Sequence, residues 1–175
     1  MATTYLNSPN GTGTDPQIAT FSMWFKLTKP EADECYLFSG GDGASNDSAI
    51  MVGGEPAPNG ALTEIYNGSS WTEVADMATA RNTIGVLGTV NTASLAVAGY
   101  LSGIPGLSAT NESWNGSSWT EVNDLNTTRY ATFGSGTSTS GIISGGSTPS
   151  VNNSAESWDG TTFTEVANLN TARAY

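Results

Sequence analysis

Histidine is missing from this 175-residue chain, and cysteine occurs once, at Cys35. Without histidine there is no imidazole general base, no Ser–His or Cys–His pair, and none of the commonest metal ligand. One thiol cannot close an intramolecular disulfide, and Cys35 reads as a small buried hydrophobe. Charge is scarce as well: 12% of residues are Asp, Glu, Lys or Arg, and only five are basic. A net charge of −11 with two lysines and three arginines argues against the clustered cations that grip a phosphate backbone, so nucleic acid is not an expected partner. No apolar run approaches the roughly 20 residues that span a bilayer, so no membrane insertion is expected. Met1-Ala2-Thr3-Thr4-Tyr5 lacks the basic-then-apolar order of a secretory signal.

What fills the chain instead is Gly, Ser, Thr and Asn between short apolar runs, the composition of a turn-rich all-β protein. One stretch occurs three times. It reads Glu64-Ile65-Tyr66-Asn67-Gly68-Ser69-Ser70-Trp71-Thr72-Glu73-Val74, then Glu112-Ser113-Trp114-Asn115-Gly116-Ser117-Ser118-Trp119-Thr120-Glu121-Val122, then Glu156-Ser157-Trp158-Asp159-Gly160-Thr161-Thr162-Phe163-Thr164-Glu165-Val166. Asn-Gly or Asp-Gly between alternating residues predicts a tight hairpin, with an aromatic on each side of the turn. Laid out on this stretch, the chain divides into three units, 36–81, 82–129 and 130–173. Each is expected to hold four strands.

First strands are expected at 35–38, 83–87 and 130–133, and second strands at 48–52, 94–98 and 141–144. The second strands are nearly continuous small or apolar runs, as strands buried on both faces should be. Gly53-Gly54, Gly99 and Gly145-Gly146 end them, where positive φ or close backbone approach is needed. From the last glycine to the first aromatic, units one and three are alike. Unit two carries three extra residues within 100–107, where a loop tolerates insertion. The last residues, Arg173-Ala174-Tyr175, match the entry to a further unit. The expectation is therefore that the sequence is a portion of a longer polypeptide, that two or more chains combine their units into a closed ring, or that the open faces are capped by the N-terminal arm, packed on the first unit, and by neighbouring subunits in a fibre or particle.

A glycine doublet, an aromatic about twelve residues on, a second aromatic five further, and a small-residue segment ending in Arg together resemble the kelch repeat. The resemblance covers 36–175. It implies an all-β fold of kelch-like β-propeller blades: three four-stranded repeats in an incomplete ring, preceded by an N-terminal β arm over 1–35. Within that arm, Phe21-Ser22-Met23-Trp24-Phe25-Lys26 lies in an alternating strand expected over 19–28 and resembles a strand of the laminin-G-like jelly rolls of viral structural proteins. Copper oxidases among kelch-type propellers use histidine ligands, and this chain has none.

The candidate site residues follow the repeat. Arg81, Arg129 and Arg173 each stand eight residues after a glutamate, Glu73, Glu121 and Glu165. That spacing predicts a structural tether, the planar guanidinium bridging a carboxylate and backbone carbonyls to tie one unit to the next. A ring of arginines binding an acidic ligand is the functional alternative. Glu64, Glu112 and Glu156 are expected to tether similarly. The repeated aromatics Tyr66, Trp71, Trp114, Trp119, Trp158 and Phe163 are assigned to the core. Trp24 and Tyr100, which do not repeat, are the candidate ligand contacts. Asp42, Asn46 and Asp47 superficially resemble a calcium loop but lack its terminal glutamate, so a solvated turn is expected. No metal, cofactor or catalytic constellation is expected.

The expected function is a non-enzymatic structural or adhesive component of a virion or extracellular assembly, such as a phage tail fibre, reached by lysis or within a particle. It would self-associate or bind neighbouring subunits, and would touch a glycan or receptor through its loops. The alternative is a cytoplasmic kelch-type module that binds a protein partner.

Overall fold

A computed structural model describes residues 36–39, 49–54, 59–101 and 106–174 of the protein. The expected arm over 1–35, with its strand at 19–28 and Trp24, lies outside the described residues, as do Cys35, Asp42, Asn46 and Asp47. The described chain is all-β, in three antiparallel sheets with one short 3-10 turn at Asn59–Ala61. The first sheet is a meander of β1 (Tyr36–Ser39), β2 (Ala49–Val52), β3 (Thr63–Tyr66) and β4 (Trp71–Glu73). The second contains β5 (Arg81–Asn82), β6 (Gly85–Val90), β7 (Ala93–Leu101), β8 (Leu107–Trp114) and β9 (Trp119–Val122), with both β5 and β6 paired to β7. The third meanders through β10 (Phe133–Thr137), β11 (Ser140–Ser144), β12 (Ala155–Trp158) and β13 (Phe163–Val166).

The repeated hairpins form where the Asn-Gly and Asp-Gly pairs stand. Asn67, Asn115 and Asp159 each accept two backbone N–H bonds on Oδ1, from the residues two and three further on. The glycine that follows takes φ of 91°, 94° and 95° in the three copies, a conformation that costs glycine least. The strands leave these turns in matching register, with Tyr66 opposite Trp71, Trp114 opposite Trp119 and Trp158 opposite Phe163.

Two expectations are corrected. The first strands of units two and three begin at Gly85 and Phe133 rather than at 83 and 130. The cause is local: Thr83 and Ala131, each two residues after an arginine, sit at φ 48° and 53°, which breaks an extended run. The extra residues of unit two do not simply lengthen a loop. They prolong the β7–β8 hairpin, pairing Tyr100 with Leu107 beyond a bulge between Val97 and Gly99, while β5 adds to the other edge of β7.

Side chains alternate between the faces of a strand, so the second sheet turns one face toward unit one and the other toward unit three. The core lies between sheets. Ile50, Val52 and Met77 of unit one pack with Val86, Ala96 and Trp114 of unit two. Leu87, Leu95, Val97 and Leu125 of unit two pack with Ile143, Trp158 and Phe163 of unit three. Fully burying such a side chain stabilises by about 1.5–3 kcal/mol, which makes the two inter-sheet layers the main source of apolar stabilisation.

A repeated left-handed pair ends the second strands of units one and three, Gly53-Gly54 and Gly145-Gly146, and makes the bulge within β7, Ala98-Gly99. The second residue of each donates its N–H to the carbonyl of its unit's closing arginine, Arg81, Arg129 or Arg173, at 3.2, 3.0 and 2.8 Å. At Gly53, with φ 72°, a Cβ would stand 2.6 Å from the Arg81 carbonyl oxygen. Gly53→Ala is therefore expected to cost about 1–3 kcal/mol in urea unfolding, through left-handed strain and overlap together.

The turn bonds also set a pH dependence. Backbone N–H groups of Thr162 and then Thr161 hold the Asp159 carboxyl below its ordinary 3.8. A carboxyl depressed in the folded state adds stability above its unfolded value and loses it as pH falls through the folded one. Asp159→Asn keeps an acceptor for both bonds and removes the titration. In thermal melts taken below pH 3.8, this variant should lose less stability with falling pH than the parent chain.

Candidate functional site: the junctions between units

The charged residues of the repeat converge where one sheet meets the next. Arg81 closes unit one, and its side chain is fully buried. Its Nη2 donates to Glu112 Oε1 of unit two at 2.9 Å, and its Nη1 donates to the carbonyls of Ala98, at 2.9 Å, and Thr110. Nε reaches the Thr79 carbonyl at 3.4 Å, and Nη2 also lies 3.6 Å from Met77 Sδ. The carboxylate is satisfied from the other side. Glu112 Oε2 accepts the Ala78 N–H at 2.7 Å and Oε1 accepts the Thr79 N–H at 3.3 Å. An ion pair removed from water is tolerable only when its remaining valences are met in this way.

The second junction repeats the first. Arg129 closes unit two, is likewise buried, and donates through Nη2 to Glu156 Oε1 of unit three at 2.7 Å. Its Nη1 donates to the Ser154 carbonyl at 3.1 Å, the counterpart of Thr110. Glu156 Oε2 accepts both the backbone N–H and the side-chain Nδ2–H of Asn126, each at 2.9 Å. Arg129 Nε is buried without a partner, so this junction is less completely bonded than the first.

The expected tether from Arg to a carboxylate and backbone carbonyls is present, but its carboxylate is different. Arg81 pairs with Glu112 rather than Glu73, and Arg129 with Glu156 rather than Glu121. Glu73, Glu121 and Glu165 lie on the last strand of each unit and are exposed. They stand directly across the sheet from Glu64, Glu112 and Glu156. Like charges opposite one another on adjacent strands repel, and the arginine of the preceding unit relieves that repulsion. Burial pulls the Arg81 guanidinium below its ordinary value, while Glu112, then Glu121 and Asp124, pull it back. Arg129 shows the same balance, with burial opposed by Glu156 and then Glu165.

The constant eight-residue spacing hides this arrangement. The true partners are 31 and 27 residues apart, and the three extra residues of the β7–β8 extension, which falls between the first pair, make up most of the difference. A signal is present in β8 and β12: alternation places each Glu on the same face as the Trp two residues later, the face that meets the preceding unit.

The aromatics are not uniformly core. Trp114, Trp158 and Phe163 are buried, Tyr66 and Trp119 are half-buried, and Trp71 is 41% exposed. Burial depends on whether a sheet stands in front. Trp119 rests on unit one, its Nε1–H donating to Thr63 Oγ1 at 2.9 Å, whereas Trp71, the equivalent residue of the first sheet, has no sheet before it among the described residues. Tyr100 is half-buried, and its ring meets Tyr130 of unit three edge-on with centroids 5.7 Å apart. Arg173 is exposed and, among the described residues, makes no ion pair. No group of three or more His, Cys, Asp or Glu among the described residues is placed to hold a metal ion.

In comparisons with known proteins, no family model matches the chain and no curated protein matches it.

The pairing is checked by neutral isosteres. Removing one member of a buried pair costs about 3–5 kcal/mol, and an exposed surface change less than about 0.5 kcal/mol. Urea unfolding of Glu112→Gln should approach the first figure and of Glu73→Gln the second. Equal losses from both would restore the shorter spacing as the tether.

Proposed function

We propose that the three units are kelch-like β-propeller blades of an incomplete ring, and that the chain is a non-enzymatic structural or adhesive component of a larger extracellular or virion assembly, such as a phage tail fibre. One observation carries this reading. Arg81, Arg129, Glu112, Glu156 and the aromatics Trp114, Trp119, Trp158 and Phe163 join each unit to the next, and the two outer faces of the joined stack carry the counterparts of these residues. A repeated constellation committed to packing leaves recognition to what does not repeat. In this chain those are the extended hairpin around Tyr100, the arm containing Trp24, and the variable loops, where a surface glycan or receptor would be met. The kelch motif, the Ser/Thr/Asn/Gly-rich composition and the viral flavour of residues 19–28 support the same reading.

The test combines localisation with binding. Antibodies raised against the chain should label a virion appendage or an extracellular fibre in electron micrographs. Glycan-array binding, where present, should fall on Trp24→Ala or Tyr100→Ala. A chain recovered as a discrete intracellular monomer gripping one cellular protein would establish the interaction-module alternative instead.

A further inference from the structure

The two outer faces of the stack are complementary to each other. The first sheet presents the carboxylates Glu64, half-buried, and Glu73, exposed, directly opposite one another with no cation between them among the described residues. In the inner junctions the same positions, Glu112 with Glu121 and Glu156 with Glu165, receive a buried arginine. The arginine in the equivalent position of unit three is Arg173. Arg173 is anchored as its equivalents are, its carbonyl accepting the Gly146 N–H at 2.8 Å, yet its side chain is exposed. Three residues earlier stands Asn170, the counterpart of Asn126, whose amide groups serve Glu156.

An apolar mismatch repeats the pattern independently of charge. On the third sheet, Ile142 is 40% exposed and Val166 38%, and Leu169 is half-buried. Their equivalents in unit two, Leu95 and Leu125, are 0% and 4% exposed in the inner layer, and Val122 packs against that layer. On the first sheet Trp71 is 41% exposed, where Phe163, its equivalent in unit three, is 6% exposed against unit two. Three of the five exposed large hydrophobics among the described residues thus lie on the two outer faces.

The geometry points to a second copy of this chain as the occupant of both faces: head-to-tail pairing in which Arg173 of one copy enters between Glu64 and Glu73 of the other, with Leu169 and Ile142 covering Trp71. This rests on reading the units as propeller blades that continue to stack in one sense. A heterologous contact closes when its rotation returns to the start, and two copies of three units make six, within the range of about four to eight blades at which propellers close.

The test uses the 175-residue chain and charge reversal at one end at a time. Native mass spectrometry and sedimentation should give a dimer, twice 18.0 kDa. Arg173→Glu alone and Glu64→Arg alone should each weaken it by at least about 100-fold, because each places like charges at both junctions. Mixing the two variants should restore a dimer made of one of each. At one of its junctions the introduced carboxylate at position 173 meets the introduced guanidinium at position 64, and at the other the unchanged Arg173 meets the unchanged Glu64. That rescue also shows that both variants are folded. A monomeric parent chain, a dimer indifferent to both changes, an open filament, or failure of the mixture would each overturn the closed pair. The outcomes separate from those of the functional reading. A monomer whose antibodies still label a virion appendage sinks only the self-pairing, and a dimer found gripping an intracellular partner sinks only the assignment to an appendage.

Discussion

The structure depends on a buried guanidinium placed between sheets. Desolvating Arg81 and Glu112 is expensive, and it is offset by their mutual attraction together with the backbone groups that complete each of them. Those backbone groups make the contact directional. Glu112 takes N–H groups from the segment that carries Arg81, and Arg81 takes carbonyls from Glu112's own strand and from β7 beside it. Only one displacement of the second sheet relative to the first satisfies both sets. The apolar layers between the sheets carry no such demand, since burial of apolar surface is non-directional. Apolar burial and the ion pair therefore have different roles: one holds the sheets together and the other sets where they sit.

The same logic explains the cross-strand glutamate pairs. An antiparallel hairpin that places Glu opposite Glu is an unfavourable local choice. In units two and three it is acceptable because the choice is not local: the preceding unit supplies a buried arginine to Glu112 and to Glu156. A hairpin excised from its neighbour would lose that compensation and expose an aromatic. Each unit is thus incomplete by itself, and its stability resides largely at its borders, as nearest-neighbour repeat arrays require.

Legibility in the sequence divides along the same line. What depends on adjacent residues can be read: the Asn-Gly turns, the strands beside them and the glycine-terminated second strands are decided by φ preferences and alternation within a few residues. What depends on distant segments cannot. Thr83 and Ala131 carry no outward sign of left-handed backbone, because the conformation is imposed where the chain passes from one unit into the next. Ala98 stands where the other units have glycine and adopts the same left-handed conformation, at φ 54°. The absent doublet in unit two looks like a departure from the repeat, yet the backbone keeps the repeat there. The arginine's partner escapes the sequence for a related reason. Equal spacing along the chain is a property of a unit, whereas the ion pair belongs to the space between units.

The two junctions are alike in plan and unequal in completion. Arg81 finds acceptors for Nε and both terminal nitrogens, while Arg129 leaves Nε buried and unbonded, and Thr132 Oγ1, three residues further along the chain, is likewise orphaned. A buried donor without a partner costs about 1–3 kcal/mol, comparable to the gain from a buried aromatic. The second junction offsets this with bonds the first lacks: Asn126 adds a side-chain bond to Glu156 and another to the Phe163 carbonyl, and Asn123 Nδ2–H reaches the Thr161 carbonyl. Where the first junction meets its carboxylate with the guanidinium and backbone N–H groups, the second adds an asparagine side chain. One repeat can therefore vary in detail while the buried charge pair stays in place, because neutral polar residues around it exchange roles at small cost and the pair itself cannot.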